Sequence, residues 1–390
     1  MAEQKWMSMD GNAATTHSAH AMSEVVCIYP ITPSSPMAEM ADEASAKGKK
    51  NIFGQVPKVY EMQSEAGAAG AVHGAAVGGC LTSTFTASQG LLLMIPNMYK
   101  MAGELMPGVI HVSARTLSTH ALSIFGDHSD VMLCRSTGYA MAASNDPQEA
   151  MDLAAIATAT SLRAKLPFIH FFDGFRTSHE IQKVSVLPLE TMRALVDDAD
   201  VAELRRRAIN PDRPTMRGTA MNPDIWFQGA EARNPYYAKV PDLFSAVAEQ
   251  FAELTGRRYA AFQYVGDPAA ETVLVLMGSG ANVAQEAVQF LHAHHGRKAG
   301  VLKVRLYRPF DAARFFAALP RTAKRLVVLD RTKEPGAVGE PLYQDVVAAF
   351  DQLVRQGQLA ASDRPLVIGG RYGLSSKEFT PRHVRTVLDH

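Results

Sequence analysis

Three side chains stand where an apolar run gives way to polar chain, and each is of a type that can do chemistry. The segment Tyr29-Pro30-Ile31-Thr32-Pro33-Ser34-Ser35-Pro36 closes an apolar strand with two Pro-fixed turns and enters a helix at Ser34 or Ser35. That leaves the Thr32 hydroxyl at the strand tip with little freedom, either to position a ligand or to cap the helix. Glu65 follows the apolar run 58–62 and opens the segment Glu65-Ala66-Gly67-Ala68-Ala69-Gly70-Ala71-Val72-His73-Gly74-Ala75-Ala76. A carboxylate there either complements the helix dipole or, in a dry site, hydrogen-bonds a ligand's ring nitrogen with little competition from water. Arg115 comes just after the run 108–113 and leads into Thr116, Ser118, Thr119 and His120. A guanidinium at a strand tip suits a carboxylate held through two parallel hydrogen bonds, with a surface ion pair as the alternative. The hydroxyl-rich stretch 81–90 either lines the same crevice or satisfies backbone groups.

Other signals are weaker. Gly278-Ser279-Gly280-Ala281-Asn282-Val283 begins like a dinucleotide fingerprint, but Val283 takes the third glycine's place and the next strand ends near Arg305 instead of an acid. It reads as a tight strand-to-helix turn. Asp127-His128-Ser129-Asp130 offers metal-ligand types, but a turn into a helix capped by Ser129 or Asp130 accounts for it. His179-Glu180 lacks the second His of a zinc-protease helix, and no Walker A loop occurs.

The elements that must position these residues alternate between strand and helix. Candidate strands at 25–29, 58–62, 81–86, 108–113 and 168–172, separated by Ala/Gly/Met-rich helical stretches, predict a doubly wound α/β domain. Its ligand crevice lies beyond the carboxyl ends of the strands, where Thr32, Glu65, Ser88 and Arg115 fall. From 185 to 241 clustered Arg and Pro residues predict an irregular arm. Asp242 then caps a helix with Leu243, Val247, Phe251 and Leu254 on one face and Gly256 closing it. Beyond it, strands at 272–277, 300–306, 325–330 and 365–369 alternate with helices at 283–294, 312–319 and 341–355. The whole is α/β: two doubly wound, mostly parallel-sheet domains, 1–256 with its arm at 185–241, and 257–390.

Composition narrows the function classes. Lys plus Arg is 39 and Asp plus Glu is 39, so no basic excess exists to neutralise a nucleic-acid backbone. The longest apolar run, near 91–96, is far short of the ~20 residues needed to span a bilayer. Residues 1–16 carry no basic segment followed by an apolar core, so no secretory signal is expected and the cytoplasm is the default. Cys27, Cys80 and Cys134 are isolated, which rules out a disulfide framework and argues against a cysteine-bound cluster in this chain.

Taken together, Asp10-Gly11-Asn12, the strand leading to YPITPSSPMAE, the Glu65 helix, TFTASQGLLLM, and HVSAR followed by GDHSD resemble the pyruvate:ferredoxin (flavodoxin) oxidoreductases. HFFDGFRTSHE at 170–180, RGTAMNPDIWFQG in the arm and GGRYGLSSKEF at 369–379 extend the resemblance nearly end to end. YPITPSS alone marks 2-oxoacid oxidoreductases generally, and with HFFDGFRTSHE it points to the pyruvate branch.

The resemblance implies a pyrimidine-type thiamine diphosphate fold followed by a transketolase C-terminal-like domain. It implies conversion of pyruvate and coenzyme A to acetyl-coenzyme A and carbon dioxide, with electrons leaving through iron–sulfur clusters to ferredoxin or flavodoxin. Glu65 matches the carboxylate that hydrogen-bonds the aminopyrimidine ring and favours its imino form. Pro30 falls with Glu65 among the cofactor contacts, Thr32 matches the hydroxyl that contacts pyruvate, and Arg115 matches the cation that holds its carboxylate. One departure is large: no Gly-Asp-Gly…Asn segment for Mg²⁺ and the diphosphate is found, since Gly266-Asp267-Pro268 and Gly126-Asp127-His128 break the pattern. Mg²⁺, the iron–sulfur clusters and the main coenzyme A domain are therefore expected in other domains or a partner subunit, and the isolated chain is expected not to turn over. Close-packing Ala/Gly helices make a homo-oligomer the expectation. A catalytically silent remnant that acts as an assembly module, and an enzyme for a larger 2-oxoacid, stay open.

Overall fold

The computed structural model describes residues 5–390; the first four, part of the stretch read for a leader, lie outside the described residues. Seven strands form one sheet in the order Leu306–Arg308, Ala140–Ala143, Phe168–Asp173, Val109–Ala114, Thr82–Thr86, Val25–Ile28, Lys58–Glu61. All neighbours are parallel except the first pair. The chain moves outward from Val25–Ile28 to Lys58–Glu61, then returns to the other side of Val25–Ile28 for Thr82–Thr86. Right-handed crossovers therefore place the helices Ser35–Ala46 and Glu65–Val77 on opposite faces, and the reversal opens a crevice at the carboxyl ends of these strands. Thr32 and the segment 86–90 flank that crevice.

The second sheet runs Leu366–Arg371, Arg325–Asp330, Thr272–Leu276, Ala299–Val304, Phe262–Gly266. Four strands are parallel as expected, and the antiparallel edge strand Phe262–Gly266 is an addition. A ribbon of Trp6–Met9 and Gln182–Ser185 was also unforeseen. The nearly all-buried helix Pro147–Ala164 packs against the helices Gly11–Ala21 and Asn234–Thr255 and the strand Phe168–Asp173, its alanines allowing close approach.

Several expectations are corrected. The strand expected at 300–306 breaks at Arg305, whose guanidinium is buried against Glu149 through two hydrogen bonds of 2.6 and 3.0 Å. Leu306–Arg308 thereby leaves the second sheet and becomes the edge of the first. The arm is not irregular throughout: Leu189–Ala194, Asp198–Arg206 and Pro223–Glu231 are helices, the last opened by a proline at its first position. Asp242 is not a cap, because the helix begins at Asn234 and carries Pro241 inside it, while Gly256 does close it in the left-handed conformation (φ 77°). The Glu65 helix is buried on one face only; Gly70 and Gly74 are exposed, with open space where a Cβ would point. We keep the boundary at 256/257 as a proposal, noting that Leu306–Arg308 reaches back across it.

Candidate functional site

Glu65 is the first residue of the helix Glu65–Val77, and Ser64 caps that helix by accepting the Gly67 N–H at 3.1 Å. Its residue is 7% exposed, and among the described residues its carboxylate makes no hydrogen bond or ion pair. The neighbouring helix Ser88–Gly103 makes room for it: a Cβ on Gly90 would stand 2.7 Å from Glu65 Oε1 and 2.8 Å from both Glu65 Cγ and Thr86 Oγ1. Gly90 is thus a glycine because the carboxylate occupies the space of its side chain. Thr86 Oγ1, on the other side of that point, is buried and has no partner among the described residues, and the same holds for the Thr82 and Thr84 hydroxyls. The hydroxyl-rich stretch therefore does not spend these groups on the backbone.

Arg115 follows the strand Val109–Ala114 and is 7% exposed. Its Nη1 donates to the Thr32 carbonyl at 2.9 Å and its Nε to the Ser123 carbonyl at 3.3 Å. Two of the five guanidinium donors are so engaged, and among the described residues it forms no ion pair, so the surface-pair alternative does not hold. Burial lowers its pKa, with the nearby Asp130 charge acting the other way. Thr32 is exposed; its carbonyl is tied to Arg115, its hydroxyl makes no hydrogen bond among the described residues, and it does not cap the helix, which starts from Ser34. Pro30, half-buried, lies between the strand Val25–Ile28 and this turn.

The residues that hold these groups were not found from sequence. Asp130 is fully buried; its Oδ2 accepts the N–H groups of Ser88 at 2.8 Å and Arg115 at 2.9 Å, and its Oδ1 that of Val131 at 2.7 Å. Burial pushes its carboxyl up to about 7 against the pull of those three N–H groups. Ser88 sits at φ 53°, a left-handed conformation costly for a serine, and this bond to its N–H helps hold it there. Asn12 donates to the Pro33 carbonyl at 2.8 Å and accepts from Ser113 Oγ at 2.7 Å, joining the Thr32 turn to the strand that carries Arg115. A continuous set of contacts thus runs from Glu65 through Gly90 and Ser88 to Asp130, Arg115 and Thr32. The Asp10-Gly11-Asn12 and GDHSD motifs were the available signals for Asn12 and Asp130.

The GDHSD motif also does something else. Its helix, Ser129–Leu133, starts from His128, and Asp127 rather than Ser129 or Asp130 accepts the first N–H, that of Ser129 at 3.0 Å. His128 Nε2 lies 2.6 Å from Asp173 Oδ1, while Asp173 Oδ2 meets the Ser279 N–H at 2.7 Å and Arg331 Nη1 at 2.5 Å. The Arg331 and His128 partners hold the Asp173 carboxyl far below the usual carboxylate range despite full burial. This is a lock between the two sheets, and among the described residues no cluster of metal-ligating side chains exists. Among the described residues no helix is long and apolar enough to cross a membrane.

Residues 17–249 match the family model described as "Pyruvate flavodoxin/ferredoxin oxidoreductase, thiamine diP-bdg", and residues 270–372 match "Pyruvate:ferredoxin oxidoreductase core domain II". The chain is 59% identical to the pyruvate:ferredoxin oxidoreductase of Moorella thermoacetica over 98% of its own length and 32% of that protein's. It is 58% identical to a putative pyruvate-flavodoxin oxidoreductase of Synechocystis sp. over 99% of its length and 31% of that protein's. It is also 55% identical to a pyruvate-flavodoxin oxidoreductase of Nostoc sp. (strain ATCC 29151 / PCC 7119), over 98% of its length and 92% of that sequence. The chain spans about a third of the length of the first two relatives. A solved 2-oxoglutarate:ferredoxin oxidoreductase from Magnetococcus marinus superposes with a TM-score of 0.68, covering 99% of this chain and 65% of that one, at 18% identity, which shows the shared fold. With both domain-family matches in place along the chain, it belongs to the pyruvate flavodoxin/ferredoxin oxidoreductase family, and residues 17–249 are that family's thiamine diphosphate-binding domain.

Proposed function

We propose that this chain forms the pyrimidine-facing half of a thiamine diphosphate site in an enzyme that oxidatively decarboxylates pyruvate. The products are acetyl-coenzyme A and carbon dioxide, with electrons passed to ferredoxin or flavodoxin. The observation that carries this reading is the Glu65 carboxylate: buried, without a partner, and given room by a glycine on the facing helix. A carboxylate that is mostly buried, has no partner among the described residues and still keeps some accessible surface on its oxygens is open to a ligand's ring nitrogen. Bound thiamine diphosphate supplies a nucleophilic ring carbon that can hold the electron pair left by decarboxylation. Glu65 orients the pyrimidine ring and shares a proton with its nitrogen, with Pro30 against the cofactor. Arg115 holds the pyruvate carboxylate with the N–H donors it has left, and the Thr32 hydroxyl contacts the same substrate. Mg²⁺, the diphosphate and the iron–sulfur clusters belong to other domains or a partner subunit in a cytoplasmic homo-oligomer.

The test is reconstitution. The chain is mixed with a polypeptide carrying the diphosphate-binding and cluster segments of a relative, and pyruvate-dependent reduction of a viologen dye is followed. Glu65→Gln removes a charged hydrogen bond worth about 1.5–3 kcal/mol, so the rate falls by about ten- to a hundredfold. An undiminished rate assigns Glu65 wrongly. A mixture that binds no thiamine diphosphate favours the silent module, and faster turnover of 2-oxoglutarate than of pyruvate moves the substrate to a larger 2-oxoacid.

A further inference from the structure

The segment Gly373-Leu374-Ser375-Ser376 follows the strand Leu366–Arg371 of the second sheet, within the motif GGRYGLSSKEF. Ser375 (φ 48°) and Ser376 (φ 56°) are both left-handed, two consecutive non-glycine residues in a conformation that persists only where the surroundings hold it. What holds it is the chain between 123 and 128, at the end of the first sheet. Ser376 Oγ accepts the Gly126 N–H at 2.8 Å, and the Ser376 N–H donates to the Gly126 carbonyl at 2.7 Å. The Ser375 N–H donates to Asp127 Oδ2 at 3.1 Å, and the Ser375 and Ser123 hydroxyls meet at 2.5 Å. The His128 N–H donates to the Arg331 carbonyl at 2.8 Å, and Arg331 Nε donates to the Gly373 carbonyl at 3.1 Å, which ties the two loops of the second sheet to each other.

The stretch so held bears on Arg115. Residues 116–126 form a loop closed by the Thr116 N–H on the Phe125 carbonyl at 3.1 Å, and its tip, 118–122, is exposed. Inside the loop the Ser123 carbonyl accepts Arg115 Nε at 3.3 Å, while the Thr32 carbonyl accepts Nη1 at 2.9 Å. One such bond is a pivot. The two together fix the rotation of the guanidinium in its own plane, and leave both Nη2 donors and one Nη1 donor to take a carboxylate side by side. Among the described residues the Ser123 hydroxyl has two hydrogen-bond partners, the Phe125 N–H of its own loop at 3.3 Å and Ser375. The second anchor of Arg115 is therefore placed from the other sheet.

We propose that Ser375 and Ser376 are positioning residues for the substrate: they fix the Ser123 carbonyl and, through it, the face that the Arg115 guanidinium presents to the pyruvate carboxylate. The inference rests on the assignment of that carboxylate to Arg115. It gives the second sheet a part in substrate binding although none of its side chains touches Arg115 among the described residues, and it accounts for the two left-handed serines.

The experiment measures KM and kcat for pyruvate in the reconstituted enzyme, with amide hydrogen exchange and melting curves on the full chain alone. Ser375→Gly deletes the hydroxyl but keeps the left-handed turn, which glycine adopts freely, so the melting temperature should stay within about 2 °C of wild type. It should raise KM by about three- to tenfold and lower kcat by less, and Ser123→Ala should do the same. The double variant should be no worse than either single one, since both cut one link. Ser376→Gly should speed exchange at the Gly126 amide by about tenfold, because that N–H loses its acceptor. Unchanged exchange at Gly126, a KM that stays at the wild-type value in Ser375→Gly, a fall confined to kcat, or KM effects of Ser375→Gly and Ser123→Ala that multiply would each overturn the proposal. Arg115→Gln separates it from the reading beneath: an unchanged KM in that variant sinks both, whereas a raised KM there beside wild-type values in the serine variants sinks this one alone.

Discussion

Gly90→Ala tests whether the Glu65 carboxylate stands where the candidate site needs it, because the substitution removes no group capable of chemistry. In an open helix the exchange gains about 0.8–1.0 kcal/mol of helix propensity. Here the new methyl would meet Glu65 Oε1 at 2.7 Å and Glu65 Cγ and Thr86 Oγ1 at 2.8 Å, all inside contact distance. Overpacking of this kind costs about 1–3 kcal/mol. Net destabilisation of up to about 2 kcal/mol is therefore expected, together with a displaced carboxylate and loss of reconstituted activity approaching that of Glu65→Gln. Two of the three clashing atoms belong to Glu65, so the same change in a Glu65→Ala background should be neutral or stabilising. Glu65→Ala by itself should change stability little, since among the described residues the carboxylate has no partner to lose. Urea unfolding of the four chains measures the coupling, expected at about 1–2 kcal/mol. Additivity to within about 0.5 kcal/mol would refute the geometry from which the site is argued.

Two further outcomes follow from the buried acids. Asp130→Asn leaves one acceptor oxygen facing the N–H groups of Ser88, Arg115 and Val131, and should cost about 2–4 kcal/mol in urea unfolding, an unchanged midpoint counting against its clamping role. Asp330 accepts the N–H groups of Leu342 and Tyr343 at the start of the helix Pro341–Arg355, yet burial pushes its carboxyl up to about 7. The folded chain therefore keeps a proton that the unfolded chain loses near pH ~4, and Asp330 makes stability fall as pH rises from there through about 7. Asp330→Asn should lose less stability than the wild type between about pH 5 and about pH 8, and equal slopes would remove Asp330 from the account.

Much of the first sheet is legible because each parallel strand is an apolar run followed at once by its polar tip. The strands of the second sheet share that property. Ala140–Ala143 has no β-branched residue and reads as more of the Ala-rich helical texture, yet it is paired because the sheet requires a strand between Phe168–Asp173 and Leu306–Arg308. The arm's helices are masked by prolines that, in Pro223–Glu231 and Asn234–Thr255, stand at the first turn rather than breaking the helix. The lack of bulk in the Glu65 helix does not by itself mean burial, because small side chains permit close packing without supplying a partner, and Gly70 and Gly74 have none among the described residues.

The candidate site divides along the same line. Thr32, Glu65 and Arg115 carry a local signature, a polar group at the end of an apolar run, and local signatures are readable from sequence. The residues that place them act at long range: Asp130 reaches Ser88 across 42 positions, and Asn12 is bonded by Ser113 across 101. Sequence spacing holds no record of such contacts, and the residue types involved are as common in turns and caps as in clamps. Gly90 is the sharpest case. Inside TFTASQGLLLM it looks like a helix-weakening glycine, and its purpose is visible only when a carboxylate from another helix fills the volume that its side chain would have taken.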